Sequence, residues 1–179
     1  MKGYFLKMRG GAKSPPGIRF GEIVWSWVGS AIGIGLCGYL SSKFFEAMDL
    51  TLLIGSFGAS AVLIYGAPKS PFAQPRNVIG GHMLSGVIGV VCFRGCGETI
   101  WLAAALAASM AVAVMLVTKT VHPPGGATAL IAVIGGEKIH QLGFLYSLIP
   151  VGLGAFILVI VGLLVNNVSR NRRYPEYWF

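Results

Sequence analysis

Two histidines of this chain have apolar sequence neighbours. One lies at a break between two apolar stretches, and the other lies inside an apolar stretch. His122 precedes Pro123-Pro124-Gly125-Gly126, a run that breaks any helix reaching it, and His82 lies inside an uncharged stretch. An ionisable residue within a membrane segment is a functional candidate, because burying it there is costly. Histidine can handle protons near neutral pH. His122 can equally hydrogen-bond backbone that the prolines leave unpaired, so both interpretations stay open for it.

Small hydroxyl residues lie at two predicted helix starts. Ser56-Phe57-Gly58-Ala59-Ser60 opens one apolar helix, and Gly126-Ala127-Thr128-Ala129 opens another. The first turn of a helix has unpaired N–H groups and partial positive charge, which attract anions. Two such starts facing each other near the middle of a membrane would form an anion site without formal charge. The same small residues suit close helix packing, and the two roles are compatible.

Two cations lie in the other interruption, Ala67–Asn77. Two interpretations are open for Arg76 and for Lys69. Each can be a loop charge that sets the orientation in the membrane, or a cation that draws an anion inward. We predict a metal-free anion site or pathway made of Ser56, Gly58, Ser60, Arg76, Asn77, His82, His122, Gly125, Gly126 and Thr128.

Composition indicates an integral membrane protein. The chain is 55% hydrophobic and 11% charged, whereas soluble domains have about 25% charged residues. The bilayer is therefore an expected partner. Basic residues cluster near the chain ends rather than on one face, which argues against nucleic-acid binding. All six acidic residues fall outside the uncharged stretches, and neither a nucleotide loop nor a metal-ligand cluster is present, so we expect no enzyme and no cofactor.

Charge spacing defines six candidate membrane segments and two topologies. If all six cross, eleven Lys and Arg residues lie on the side of the termini and three on the other. If the second and fifth re-enter, the division is nine to five. The positive-inside rule favours six crossings, whereas the short fifth stretch favours four. The stretches are Ile23–Ser42, Leu50–Pro68, Asn77–Phe93, Thr99–Thr118, Thr120–Gly136 and Ile139–Ser169.

The segments suggest an internal repeat within one all-α, polytopic domain of four to six membrane segments. Gly58-Ala59-Ser60-Ala61 resembles Gly126-Ala127-Thr128-Ala129, so residues 20–93 and 98–168 are candidate three-segment units. With three crossings each, the second unit is inverted, as in many transporters. A chance match is the alternative, since Gly and Ala abound. Around this domain, residues 20–168, lie a basic segment, 1–19, and a basic, aromatic tail, 169–179.

The chain resembles the HPP family of integral membrane proteins over about residues 20–168. The resemblance lies in the motifs Gly55–Leu63, Ala67–His82 and His122–Leu130, the last of which contains the His-Pro-Pro triplet. The family is usually described as having four membrane helices, and plant chloroplast and cyanobacterial members are associated with nitrite transport. The resemblance implies an anion transporter, plausibly for nitrite.

We therefore expect a transporter or channel for a small monovalent anion, nitrite first. Cytoplasmic termini and a plasma or inner membrane location are expected from the charge count. Short membrane chains often form homo-oligomers, although no heptad or symmetric patch indicates one here. The alternative is a scaffold or sensor whose glycines and prolines serve packing. That alternative predicts a closed interior, with His82 among packed side chains.

Overall fold

The computed structural model describes residues 14, 17–45 and 52–179. These residues form seven α-helices, three π-helical segments and one 3₁₀ helix, Pro71–Ala73. π-helical turns extend the first helix to Phe45 and the second to Gly66, and another, Ser147–Gly152, precedes the last. The described residues contain no strand. In chain order the helices are α1 (Phe20–Leu40), α2 (Ser56–Ala61), α3 (Pro75–Cys96), α4 (Ile100–Val117), α5 (Pro123–Ile134), α6 (Glu137–Leu142) and α7 (Leu153–Asn166).

Within the described residues, four helical segments are long and apolar enough to cross a bilayer. The segments Ser56–Gly66 and Pro123–Ile134 are apolar but shorter. At 1.5 Å per residue, a 12-residue helix such as α5 measures about 18 Å, while the hydrocarbon core is about 30 Å thick. The structure thus confirms an all-α membrane protein with two short segments. The four long segments are Phe20–Phe45, Pro75–Cys96, Ile100–Val117 and Ser147–Asn166.

Contacts between helix ends define two ends of the molecule. Beyond α7, Arg172 pairs with Glu22 at the start of α1. At the start of α3, Arg76 donates to the carbonyl of Thr118, just after α4. We call the end of the molecule that contains both contacts the terminal end. At the far end, Phe93 near the close of α3 stacks on His140 of α6, with ring centroids 3.7 Å apart.

The two short helices also carry the chain between these ends. Leu52 N–H donates to Ser41 Oγ, beside the far end of α1, while the Tyr65 carbonyl accepts from Arg172 at the terminal end. Residues 52–55 together with the helical segment Ser56–Gly66 are long enough to cover about 30 Å. Helix α5 likewise starts at the terminal end and is followed by α6 at the far end. The described parts of the chain therefore run between the ends six times, four of them as helices long enough to cross a bilayer, and the choice between six crossings and four stays a prediction.

Each half of the chain runs between the two ends three times. The first helix of the second half therefore starts at the end opposite to the one at which the first half starts. The short helices are accordingly antiparallel neighbours, since Ser56 contacts Thr128 and Ser60 contacts His122. The inverted repeat itself stays a prediction.

Helix α3 occupies the centre and packs against α4, α5 and α7. Its glycines let α5 approach closely. A Cβ on Gly89 would lie 2.5 Å from the Ala129 carbonyl oxygen and 2.6 Å from the Ala132 Cβ, distances that side chains do not tolerate. Small residues at helix interfaces are typical of membrane proteins, where packing rather than water drives association.

Large apolar side chains cover the outer surface of the helices. Such a surface suits lipid tails rather than water. Examples from several helices are Ile23, Trp27, Leu36, Trp101, Val112, Leu116, Phe156 and Leu164.

The structure differs from expectations based on the sequence at two places. The sixth stretch, Ile139–Ser169, is not one helix: α6 ends at Leu142, and Ile149 is extended next to Pro150. Arg172, a residue of the predicted basic, aromatic tail, is buried. Most of the predicted basic N-terminal segment lies outside the described residues.

Candidate functional site

Five polar side chains from three elements meet inside the protein. They come from α2, from α3 and from α5 with the residue that precedes it. Each is at most 2% exposed, so each must find its hydrogen-bond partners within the protein. The five, which we call the His–Ser cluster, are Ser56, Ser60, His82, His122 and Thr128.

His82 lies at the centre of the cluster and bonds through both ring nitrogens. Its Nε2 is 2.7 Å from Ser60 Oγ, and its Nδ1 is 2.7 Å from Thr128 Oγ1. Phe57 packs edge-on against the ring at a centroid distance of 5.4 Å. The imidazole is therefore fixed between α2 and α5 by one hydroxyl from each.

His122 connects the cluster to the loop at the terminal end. Its Nε2 is 2.9 Å from Ser60 Oγ, and its Nδ1 is 2.7 Å from the Phe72 carbonyl oxygen. A carbonyl only accepts hydrogen bonds, so Nδ1 carries a hydrogen. The His82 and His122 ring centroids are 4.8 Å apart.

Thr128 and Ser56 form the other end of the cluster. Their hydroxyl oxygens are 2.9 Å apart, and Thr128 Oγ1 is also 3.3 Å from the Pro124 carbonyl oxygen. The Tyr146 hydroxyl donates to the Thr128 carbonyl at 3.1 Å. The result is one continuous chain of hydrogen bonds from Phe72 through the cluster to Ser56.

Local sequence explains how these side chains come together. Pro123 and Pro124 occupy the first two positions of α5, where their fixed φ suits a helix start and no N–H is required. Gly81 then lets the turn before α5 touch α3. A Cβ there would lie 2.7 Å from His122 Cβ and 2.7 Å from the Thr120 carbonyl oxygen.

Arg76 and Asn77 hold the segment before His122 but do not touch the cluster. Asn77 Nδ2 donates to the Val121 carbonyl at 2.9 Å, and the Arg76 guanidinium donates to the Thr118 carbonyl at 2.9 Å. These bonds bring the Gln-Pro-Arg and His-Pro-Pro turns together. Attraction of an anion by Arg76 stays a prediction.

The backbone amides of the predicted glycines contribute less to the cluster than the side chains do. Gly58 N–H donates to the Gly55 carbonyl and Gly125 N–H to the His122 carbonyl, while Gly126 has open space where a Cβ would be. The two helix starts are neighbours, and the expectation that they form an anion site stays a prediction. Because α2 and α5 are antiparallel, each start lies beside the second turn of the other helix.

Ser85 belongs to this region although sequence reasoning missed it. It is fully buried, and its Oγ has no hydrogen-bond partner among the residues that the structure describes. It follows His82 by three residues, so it shares a face of α3, and a Cβ on Gly125 would be 2.8 Å from its Oγ. That spacing from a buried histidine was the available signal.

The cluster contains neutral donors and acceptors and no carboxylate. Among the residues that the structure describes, no group of three or more His, Cys, Asp or Glu could hold a metal ion. Hydroxyls and imidazoles in a water-poor interior can bind a small anion or pass protons along hydrogen bonds.

Comparisons with known proteins agree with this architecture. The chain matches the family described as "HPP, transmembrane region" over residues 15–175. It is similar to two transmembrane proteins of Dictyostelium discoideum, and it is 45% identical to each of them. Each alignment covers 98% of this chain, and the alignments cover 57% of one relative and 63% of the other. The chain thus spans about three fifths of the length of these relatives. No solved structure matches it.

Proposed function

The chain belongs to the HPP transmembrane family, and on that premise we propose that it transports a small monovalent anion, nitrite first. The His–Ser cluster is the proposed binding site, and Ser85 extends it along α3. The observation that carries the proposal is His82, buried in a membrane helix and bonded to one hydroxyl from each of two short, antiparallel helices.

The chemistry of the cluster suits an ion with a single charge. Hydroxyl and imidazole hydrogens can replace part of the hydration shell of nitrite without a permanent charge nearby. A fixed positive charge deep in the protein would hold the anion too tightly for release. Arg76, half-buried at the terminal end, would attract the anion from the aqueous side.

Transport also requires the cluster to open. None of its five members is more than 2% exposed, so this conformation is closed to both sides. Helix α2 is the element best placed to move, because it is short and presents Gly58, Ala59 and Val62 on the outer surface. Motion of short, interrupted segments relative to long ones is a common basis of alternating access.

The distribution of charges supports one orientation of the protein in the membrane. With six traverses, eleven Lys and Arg residues lie on the side of the termini and three on the other, so we propose cytoplasmic termini in a plasma or inner membrane.

The test is anion flux in proteoliposomes. Purified protein is reconstituted, and uptake of nitrite, nitrate, formate and chloride is measured at two pH values against protein-free vesicles. We expect nitrite uptake that saturates with concentration. Uptake of none of the four anions would remove the proposal.

One observation favours a second candidate, a scaffold or sensor without transport. His82 is surrounded by packed protein side chains, including Phe57, as a closed interior requires. The same flux measurement decides between the two, since a scaffold carries no anion at either pH.

A further inference from the structure

We propose that a cavity at the terminal end binds a phosphate group, and that an anionic phospholipid supplies it. The cavity has a volume of about 410 Å³ and lies between the start of α1, the loop that follows Gly66 and the tail after α7. None of the five residues of the His–Ser cluster lines it. The cavity is therefore a second site, and its ligand does not depend on what the cluster transports.

Arg172 lines the cavity from inside the protein and is already fully bonded. Its Nε donates to Glu22 Oε2 at 2.6 Å, and its other N–H groups donate to Ser26 Oγ, Asn166 Oδ1 and two backbone carbonyls. Because all five hydrogens of the guanidinium are used, Arg172 cannot donate to a ligand. Its contribution is charge, which cancels that of Glu22, the carboxylate among the described lining residues.

Two further cations line the cavity, and their side chains have no partner among the described residues. Arg19 immediately precedes α1, and Lys69 lies in the loop that follows Gly66. Both side chains are exposed, so the cavity can be reached from outside the protein. Three cations and one carboxylate give the described lining a net charge of +2. The ligand that suits this cavity is therefore an anion.

Neutral donors accompany these cations. Ser70 Oγ accepts from the Phe72 N–H at 3.2 Å, and its own hydrogen has no acceptor in the described part of the chain. The side-chain amide of Asn171 is exposed and has no hydrogen bond there either. Hydrogen bonds from charged and neutral donors to the oxygens of one anion are the usual means of binding phosphate.

The size and charge of the cavity suit a phosphate headgroup better than a transported anion. A water molecule occupies about 30 Å³ in the liquid, so the cavity has room for about a dozen of them. A three-atom anion such as nitrite would leave most of that space empty. Fixed positive charge also slows the release of an anion, which favours a ligand that stays bound over one in transit.

The position of the cavity favours a lipid as the source of the phosphate. The segment Phe20–Phe45 has 26 residues and is about 39 Å long, whereas the hydrocarbon core is about 30 Å thick. The start of α1 can therefore reach the headgroup layer. Basic pockets between membrane helices are a known means of binding anionic headgroups.

The outer surface of α1 offers a place for the lipid tails. Ile23 and Trp27 each follow a residue that lines the cavity, and they are 53% and 70% exposed. Ile18, which lines the cavity itself, is 68% exposed. A phospholipid can therefore place its phosphate in the cavity and its acyl chains along the apolar side of α1.

The test counts ligands on the purified full chain by native mass spectrometry in detergent. Phosphatidylglycerol, phosphatidylcholine and inorganic phosphate are added separately at equal concentration. We expect one phosphatidylglycerol per chain, bound at least about fivefold more tightly than phosphatidylcholine, whose choline cation is repelled by Arg19 and Lys69. Binding of inorganic phosphate without phosphatidylglycerol would overturn the lipid as the source. Binding of neither, or equal affinity for the two lipids, would overturn the site.

Lys69→Gln tests whether the lipid binds in the cavity. Lys69 is exposed and has no partner among the described residues, so the variant should fold. We expect its affinity for phosphatidylglycerol to fall about fivefold, the effect of one basic residue at a membrane surface, and Lys69→Arg to restore it. Arg19→Gln should resemble Lys69→Gln.

Lys119→Gln is the matched control for these variants. Lys119 is an exposed cation at the same end of the molecule, but it does not line the cavity, so this variant should bind the lipid as the wild type does. Wild-type affinity in Lys69→Gln would refute the proposal. The same loss in Lys119→Gln as in Lys69→Gln would also refute it, because the lipid would then respond to surface charge in general.

Discussion

Ser60 and Thr128 bond to opposite nitrogens of one imidazole, that of His82, at 2.7 Å each. They also occupy equivalent positions in the two Gly-Ala-Ser/Thr-Ala segments of the chain. The two short helices therefore present the same hydroxyl position to a shared ring from opposite sides. This relationship connects the antiparallel packing of α2 and α5 to the candidate site.

Replacing His82 by Gln tests whether its ring is needed for more than packing. A glutamine cannot reach both Ser60 and Thr128 with the geometry of the imidazole, so we expect nitrite uptake to fall at least about tenfold. His140→Gln is the control, since His140 is bonded to the Val133 carbonyl at the other side of the molecule. If in both variants nitrite uptake falls only as much as the yield of folded protein, the prediction that His82 is needed for more than packing is wrong.

Arg76→Ala tests the attraction of anions at the terminal end. We expect it to lower nitrite uptake more than it lowers the yield of folded protein, because the substitution removes one hydrogen bond, to the Thr118 carbonyl, among the described residues at a half-buried site. Arg76→Lys should retain part of the uptake by keeping the charge. Equal losses of uptake and folded yield in Arg76→Ala would assign this residue a structural role.

Gly89→Ala should weaken the contact between α3 and α5. Its Cβ would lie 2.5 Å from the Ala129 carbonyl oxygen, so the helices must separate. We expect the free energy of unfolding in detergent to fall by about 1–3 kcal/mol. Gly35→Ala, on a part of α1 with open space, is the matched control and should not destabilise. Equal stability of the two variants would contradict the close packing.

Arg172 fixes the terminal end of the fold. Its Nε lies 2.6 Å from Glu22 Oε2, and the same guanidinium donates to Ser26 Oγ, Asn166 Oδ1 and the Tyr65 carbonyl. Removing one partner of a buried ion pair leaves polar groups unpaired, so Arg172→Ala should lower the free energy of unfolding by about 3 kcal/mol.

The neighbouring Arg173 provides the control for this prediction. It is exposed, so Arg173→Ala should change thermal unfolding in detergent little. A similar thermal shift in both variants would mean that Arg172 contributes only surface charge.

Much of the fold follows from the sequence, because lipid imposes simple requirements. Uncharged length predicts the long helices, and Pro and Gly mark both short ones. The sequence also indicates the cluster residues, since His82 and His122 are ionisable groups in apolar surroundings. Which hydroxyl meets which nitrogen depends on the antiparallel packing of α2 and α5, which no local pattern encodes.

Two features escaped prediction for the same reason. Arg172 has the sequence context of a surface charge, yet its partner Glu22 is 150 residues away. Ser85 is an ordinary small residue of a membrane helix until α5 is packed beside it. Long-range contacts decide both roles, whereas sequence patterns report mainly local structure.

The most direct test of the account compares nitrite uptake by wild type, Ser60→Ala and Ser109→Ala in proteoliposomes with equal amounts of folded protein. Ser60 contacts both imidazoles, while within the described part of the chain Ser109 bonds only to carbonyls of its own helix. The account predicts uptake by wild type and Ser109→Ala and at least about a tenfold loss in Ser60→Ala. Equal uptake by all three proteins, or none by the wild type, would contradict it.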